Sequence, residues 1–266
     1  MGVVGARFEF LDWPGPLAFA HRGGGHERPE NSLEAFDHAV ALGYRYLETD
    51  VQVTRDGRLV AHHDPFLDPR DGPGRFIAEL TWSEVRQVRL RDPQGEPTEQ
   101  RITLLEDLMG TYPEARFNID AKVDRAVAPL AELISRLGAT GRVCLASFSD
   151  ARVRELRSLL GPELCTSGGP LDVARIRLGP LGRLFGAPKA ACLQVPTQRR
   201  VRGPLAIPIV EPRFLRRVAE VGLSTHVWTV DDPDEMHRLL DLGVHGLMTD
   251  RPSVLKEVLV ERGEWS

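Results

Sequence analysis

Glu48 and Asp50, two acidic residues at alternate positions in the run YLETDVQV, are the first feature of this 266-residue chain that calls for chemistry. In an extended strand, residues i and i+2 share a face, so both carboxylates project together while Leu47, Thr49 and Val51 point the other way. Like charges on one buried face persist only when something positive neutralises them. A hard divalent cation with oxygen ligands does this, and arginines at a solvated strand end would do it too. The run FNIDAK repeats the arrangement, with Asn118, Asp120 and Lys122 on one face and Phe117, Ile119 and Ala121 on the other. Lysine occurs only at Lys122, Lys189 and Lys256 in this arginine-using chain. A compact ammonium at Lys122 suits a phosphate group; a simple pair with Asp120 is the alternative.

Two histidines stand beside these runs. His21 ends LAFAH and precedes Arg22 and the glycines Gly23, Gly24 and Gly25, which let backbone approach a ligand closely. His63 closes RLVAHH and precedes Asp64, a carboxylate able to orient it. Flanking a phosphate, the two imidazoles would supply a base and an acid near neutral pH; taken singly, each is a structural residue first. Asn31, with Glu34 three residues on, fits a helix capping box. Trp228 in HVWTVDD is either a core aromatic or a stacking wall. His26 and His62 receive no role, and His226, His237 and His245 follow no metal-ligand spacing. GxSxG elbows, Walker loops, HExxH and zinc-knuckle spacings are absent.

The elements that must position these residues alternate along the chain. Apolar or β-branched runs (LAFAHR, YRYLETDVQV, ARFNIDAK, RVCLASF, ELCTSG, CLQVP, STHVWTV, GLMTD) are interleaved with amphipathic stretches such as DRAVAPLAELISRL and DPDEMHRLLDLG. That alternation indicates parallel β/α construction. A ninth strand candidate, RLVAHH, is separated from QVT by only Arg55-Asp56-Gly57-Arg58, a hairpin signal too short for a parallel crossover. It is therefore an antiparallel return arm, and eight parallel strands remain, as in a TIM (β/α)8 barrel. Residues 64–103, with clustered Pro and Gly, one helical piece (TWSEVRQV) and a polar loop (RDPQGEPTEQ), form a small insertion after strand 2. It belongs over the C-terminal mouth, where barrels keep their chemistry. Residues 1–266 are expected to form one catalytic domain.

A net charge of -4, with both signs interspersed, leaves no cationic face for nucleic acid or an anionic bilayer. Cys144, Cys165 and Cys192 each sit in an apolar run, indicating buried reduced thiols and a cytoplasmic setting. The N-terminus lacks the pattern of a signal peptide, no apolar run is long enough to span a bilayer, and Ala6 stands where a myristoylation motif needs Ser or Thr.

Taken together, HRG, PENSLEAF, ETDVQVTRDGRLVAHHD, NIDAK, VWTVDDP and GLMTDRP resemble the glycerophosphodiester phosphodiesterase family, over nearly the whole chain. The resemblance implies a TIM barrel with a small insertion, a divalent cation (Mg or Ca), and hydrolysis of small glycerophosphodiesters to glycerol 3-phosphate and an alcohol. It places metal ligands on Glu48, Asp50 and Asp120, acid/base chemistry on His21 and His63, and phosphate contacts on Arg22 and Lys122. Glu30 and Asn31 match the PEN motif, with a metal-binding or orienting role, and Trp228 falls at the substrate site. Many members have Glu where Asp120 stands. The related sphingomyelinase D-like phosphodiesterases commonly use Asp there, which keeps a lysophospholipase D or sphingomyelinase D-like activity open. A barrel that binds a phosphodiester without cleaving it is the reading from another class. Water and the substrate's own 2-hydroxyl fit equally as nucleophile. No nucleic-acid partner and no stable membrane insertion are expected.

Overall fold

The computed structural model describes residues 7–68, 70, 74–200 and 206–266. Its first strands are β1 (Leu17–Ala20), β2 (Tyr46–Val53) and β3 (Leu59–Ala61), with helix α1 (Leu33–Ala41) between β1 and β2. Every residue of these strands is buried, the pattern of strands covered on both faces. β3 runs antiparallel to β2, pairing Val51 with Ala61 and Val53 with Leu59. The turn at Asp56-Gly57 is closed by Thr54 N donating to Arg58 O at 3.0 Å. The hairpin read from Asp-Gly is therefore present.

The insertion carries α2 (Trp82–Val85), β4 (Arg89–Arg91) and β5 (Pro97–Arg101). Here the expectation of a loop over RDPQGEPTEQ is corrected, because β4 and β5 form an antiparallel hairpin. Its turn is built by Asp92, whose carboxylate accepts from the backbone N–H groups of Gln94 and Glu96. Such side-chain turn chemistry is compatible with a polar, strand-poor composition. Leu67, Ile77, Leu80, Val85 and Leu90 give the insertion its own small core. Phe66 and Phe76 do not join it: they stack edge-to-face in solvent.

The remaining units are regular. They comprise α3 (Leu105–Thr111), β6 (Arg116–Ala121), α4 (Val127–Arg136), β7 (Val143–Ala146), α5 (Asp150–Leu160), β8 (Cys165–Thr166), α6 (Pro170–Leu178) and β9 (Cys192–Pro196). A hairpin of β10 (Gln198–Arg200) and β11 (Ala206–Pro208) precedes α7 (Pro212–Glu220), β12 (Ser224–Trp228), α8 (Pro233–Asp241), β13 (Gly246–Thr249) and α9 (Pro252–Glu261). Helices α6 to α9 each begin with proline, whose fixed φ and missing N–H suit the first helical turn. The eight parallel strands run β8-β7-β6-β2-β1-β13-β12-β9. A parallel bridge between Ser167 and Cys192 joins the two ends, with Gly168 N donating to Cys192 O at 2.8 Å. This is the expected eight-stranded barrel, with α helices outside it.

Alternation divides the barrel strands between two cores. Leu47, Val51, Phe117 and Ile119 pack outward with residues such as Phe36, Leu130 and Leu255. Tyr46, Phe19 and Met248 pack inward, where Phe10 from the N-terminal segment joins them. Tyr46 Oη donates to Phe10 O at 2.8 Å. With Tyr46 opening β2, this segment closes the N-terminal end of the barrel and leaves the polar inward residues to the opposite mouth. Among the described residues, no helix is long and apolar enough to cross a membrane.

Candidate active site

Register does most of the positioning. β2 and β6 pair Glu48 with Asn118 and Asp50 with Asp120, so the carboxylates expected to share a site lie side by side across two strands. β1 and β13 pair Ala20 with Thr249, which sets His21 beside Asp250. The residues His21, Arg22, Glu48, Asp50, His63, Asp120, Lys122 and Trp228 all line one cavity of about 260 Å³. Eight of the ten residues singled out from the sequence are thus brought together.

His21 Nδ1 lies 2.7 Å from Asp250 Oδ1, and its Nε2 is 3.8 Å from Glu48 Oε2. Burial works against a charged imidazole, but Glu48 and Asp250 together raise the His21 pKa to about 9. Arg22 has φ of +53° and turns its N–H to Glu48 Oε2 at 3.0 Å. Its guanidinium lies 2.9 Å from Asp50 Oδ2, an ion pair without hydrogen-bond alignment, and donates to Glu30 Oε2 at 2.9 Å. Gly23 follows with φ of +82°, and a Cβ there would stand 2.7 Å from Ala35 Cβ. Only glycine lets this loop lie so close to α1.

Lys122 Nζ sits 2.7 Å from both Asp50 Oδ1 and Asp120 Oδ2, so the simple Asp120–Lys122 pair is present but is shared with Asp50. Burial pushes the Glu48 carboxyl up to about 8, with Asp50 adding to the rise. Burial likewise raises Asp120. For Asp50 the same burial is outweighed by Lys122 and Arg22, which hold it below its ordinary value. Two of the three clustered carboxyls are thus held above their usual range, with burial the first cause of each rise. Asp120 Oδ1 is buried with no hydrogen-bond partner. An all-oxygen donor set with an orphaned carboxylate oxygen fits a hard divalent cation held by Glu48, Asp50 and Asp120.

His63 is oriented by Asp64, with Nδ1 2.8 Å from Oδ1, while Gln52 Nε2 donates to its backbone oxygen at 3.0 Å. Trp228 forms a wall, and Phe148 stacks on it edge-to-face at 5.8 Å. Phe148 is 65% exposed at this mouth and was missed in the sequence because SFSD carries no pattern of its own.

Glu30 and Asn31 lie outside the cavity lining. The capping-box expectation for Asn31 is corrected: Ser32 caps α1, its Oγ accepting from Ala35 N at 3.1 Å. Asn31 adopts φ of +57°, accepts from Thr49 Oγ1 at 2.8 Å and donates its backbone N–H to Arg22 O at 2.8 Å. It braces the loop that carries Arg22.

Asp250 is the larger omission. It closes GLMTD, and nothing in that run hints at a histidine partner; the signal exists only once β1 and β13 are neighbours in a closed barrel. Asp231 Oδ1 accepts from Asp250 N at 2.8 Å and from Thr249 Oγ1 at 2.9 Å, fixing this strand end. His26, given no role from the sequence, lies 3.5 Å from Asp231 Oδ2. Among the described residues, His26, Asp231 and Asp250 are the trio whose ligand atoms fall mutually within 4.8 Å. Those carboxylates also meet His21, Thr249 and the backbone N–H of Asp250.

The family model described as the glycerophosphoryl diester phosphodiesterase family matches residues 21–163 and 187–254. A Mycobacterium tuberculosis protein named "Probable glycerophosphodiester phosphodiesterase 2" is 40% identical over 97% of this chain and 96% of its own length. A solved structure from Silicibacter pomeroyi superposes with a TM-score of 0.80 at 23% identity, covering 97% of this chain and 100% of that one. An Oleispira antarctica phosphodiesterase, solved with its product sn-glycerol-3-phosphate, has a TM-score of 0.73 at 20% identity, covering 92% and 97%. By family match and by close similarity over its length, the chain belongs to the glycerophosphoryl diester phosphodiesterase family.

Proposed function

We propose that this chain is a cation-dependent hydrolase that cleaves small glycerophosphodiesters to glycerol 3-phosphate and an alcohol, its whole length serving one catalytic barrel. The observation that carries the reading is the convergence of His21, His63, three buried carboxylates, Arg22 and Lys122 on one cavity. Glu48, Asp50 and Asp120 would hold magnesium or calcium, which when bound polarises a phosphoryl oxygen and eases deprotonation of the attacking hydroxyl. Arg22 and Lys122, placed among those carboxylates, supply the positive charge that the remaining phosphoryl oxygens need as negative charge develops. His21, charged at neutral pH and oriented through Nδ1 by Asp250, donates a proton from Nε2 to the leaving alkoxide. His63, oriented by Asp64, takes the proton of the nucleophile. Three free, buried cysteines favour a reducing, cytoplasmic setting.

A second reading, lysophospholipase D, is favoured by one observation: Phe66, Phe76 and Phe148 are 41%, 50% and 65% exposed, respectively, and could meet an acyl chain. A panel of glycerophosphocholine, glycerophosphoethanolamine, glycerophosphoinositol and lysophosphatidylcholine, each with Mg or Ca, tests both. Glycerol 3-phosphate from the first three supports the main reading, and faster turnover of the lysolipid moves the assignment to the second. No hydrolysis of any of the four would leave a binding barrel.

A further inference from the structure

One layer beneath the cavity floor, the barrel interior holds a group of side chains that the reaction does not use. Cys144 and Cys165 are direct register partners on β7 and β8, and Cys192 on β9 is bridged to Ser167, two residues beyond Cys165. His226 on β12 pairs in register with Gln194, two residues beyond Cys192. Since i and i+2 share a face, all four side chains point into the barrel from four neighbouring strands. The three cysteines are free, and none of the four residues is more than 1% exposed.

His226 is the anomaly in this layer. It is fully buried, and neither Nδ1 nor Nε2 has a hydrogen-bond partner. An imidazole always carries at least one N–H donor and, when neutral, one acceptor; a native core rarely leaves both unmet, and an ion or water is the usual reason when it does. Cys144 Sγ and Cys192 Sγ are 3.9 Å apart. Zinc–sulfur bonds of about 2.3 Å place two sulfurs of a tetrahedral site about 3.8 Å apart.

We propose that Cys144, Cys165, Cys192 and His226 form an enclosed binding site for one thiophilic cation, zinc being the one whose tetrahedral preference matches three sulfurs and an imidazole. No three of the four donors lie mutually within 4.8 Å in this structure, so binding the ion requires their side chains to close around it. This site is distinct in chemistry from the all-oxygen cluster above it. It also lies against the floor of that cavity, because Gln194 Nε2 is 4.0 Å from Cys144 Sγ and donates to Asn118 Oδ1 at 2.7 Å. An ion here would brace the floor without meeting substrate.

The test uses the full-length protein, produced with zinc in the medium, purified without a metal-affinity tag, and washed with EDTA. Elemental analysis is expected to give one zinc per chain, released by a mercurial that titrates thiols. X-ray absorption at the zinc edge is expected to show sulfur scatterers at about 2.3 Å. Protein refolded with Co2+ in place of zinc is expected to show sulfur-to-cobalt charge transfer, and His226→Gln should weaken retention at least 10-fold. Cys192→Ser should weaken the charge-transfer band by about a third or more, because only two of the three thiolates remain; should that variant fail to fold, the absorption spectrum of the wild-type protein decides alone. Zinc absent after washing, zinc surrounded only by oxygen and nitrogen, or undiminished retention in His226→Gln would each overturn the proposal. None of these readouts depends on hydrolysis, so a failure here leaves the phosphodiesterase reading untouched.

Discussion

Replacing Asp250 by Asn keeps the shape of the His21 partner and removes its charge. Asp250 meets His21 Nδ1 at 2.7 Å with side chains only 17% and 13% exposed, so solvent screens little of the interaction. The rise of His21 from 6.5 to about 9 corresponds to roughly 3 kcal/mol at about 1.36 kcal/mol per pKa unit, and Asp250 shares it with Glu48. A hydrogen bond to a charged group is worth about 1.5–3 kcal/mol, equivalent to about 10- to 150-fold in rate. An acid is competent below its pKa, so the alkaline limb of the kcat profile reports His21, and lowering that pKa moves the limb toward acid. Asp250→Asn is therefore expected to lower kcat about 10- to 150-fold and to shift the alkaline limb down by about 1–2 pH units. KM should change less than about threefold, because Asp250 does not line the substrate cavity. The assay is glycerol 3-phosphate release from glycerophosphocholine across the pH range, with saturating cation. A kcat within threefold of wild type and an unmoved alkaline limb would refute the assignment of His21 as an acid held by Asp250.

Excess EDTA should abolish turnover, and Glu48→Gln or Asp120→Asn should weaken both cation binding by calorimetry and kcat; undiminished hydrolysis in EDTA removes the cation from the reaction. His21→Ala and His63→Ala should each cost about 100-fold or more in kcat while the cation still binds, and near wild-type turnover in either returns that histidine to a structural role. A substrate lacking the glycerol 2-hydroxyl, followed by phosphorus NMR, separates the two nucleophiles: cleavage at the parent rate selects water, and binding without cleavage selects the substrate's own oxygen. Gly23→Ala forces a Cβ to within 2.7 Å of Ala35 Cβ at φ of +82°. Urea denaturation should read a loss of about 2–5 kcal/mol, and an unchanged midpoint would show that the loop tolerates a side chain.

How much of this was legible beforehand depends on the range of the interaction involved. Alternation of apolar runs with amphipathic stretches, and the shortness of Arg55-Asp56-Gly57-Arg58, determined the eight-stranded parallel barrel and its antiparallel arm, because strand period and turn geometry are local properties. Parity alone put Glu48 with Asp50, and Asn118 with Asp120, on a shared face; the folded barrel turned that face inward. Residue types and spacing, read through a family resemblance, then brought out a candidate set, eight of whose ten residues line one cavity. The neighbour of each strand, and the register between them, were decided only in the folded chain. Asp250 became the partner of His21 because β13 closes against β1 across more than 200 residues of sequence. Asn31 gave up the cap to Ser32 because its side chain is claimed by Thr49 of a different element. Cys144, Cys165, Cys192 and His226, unremarkable in four separate apolar runs, became one cluster because barrel closure turns residues distant in sequence into a shared interior layer.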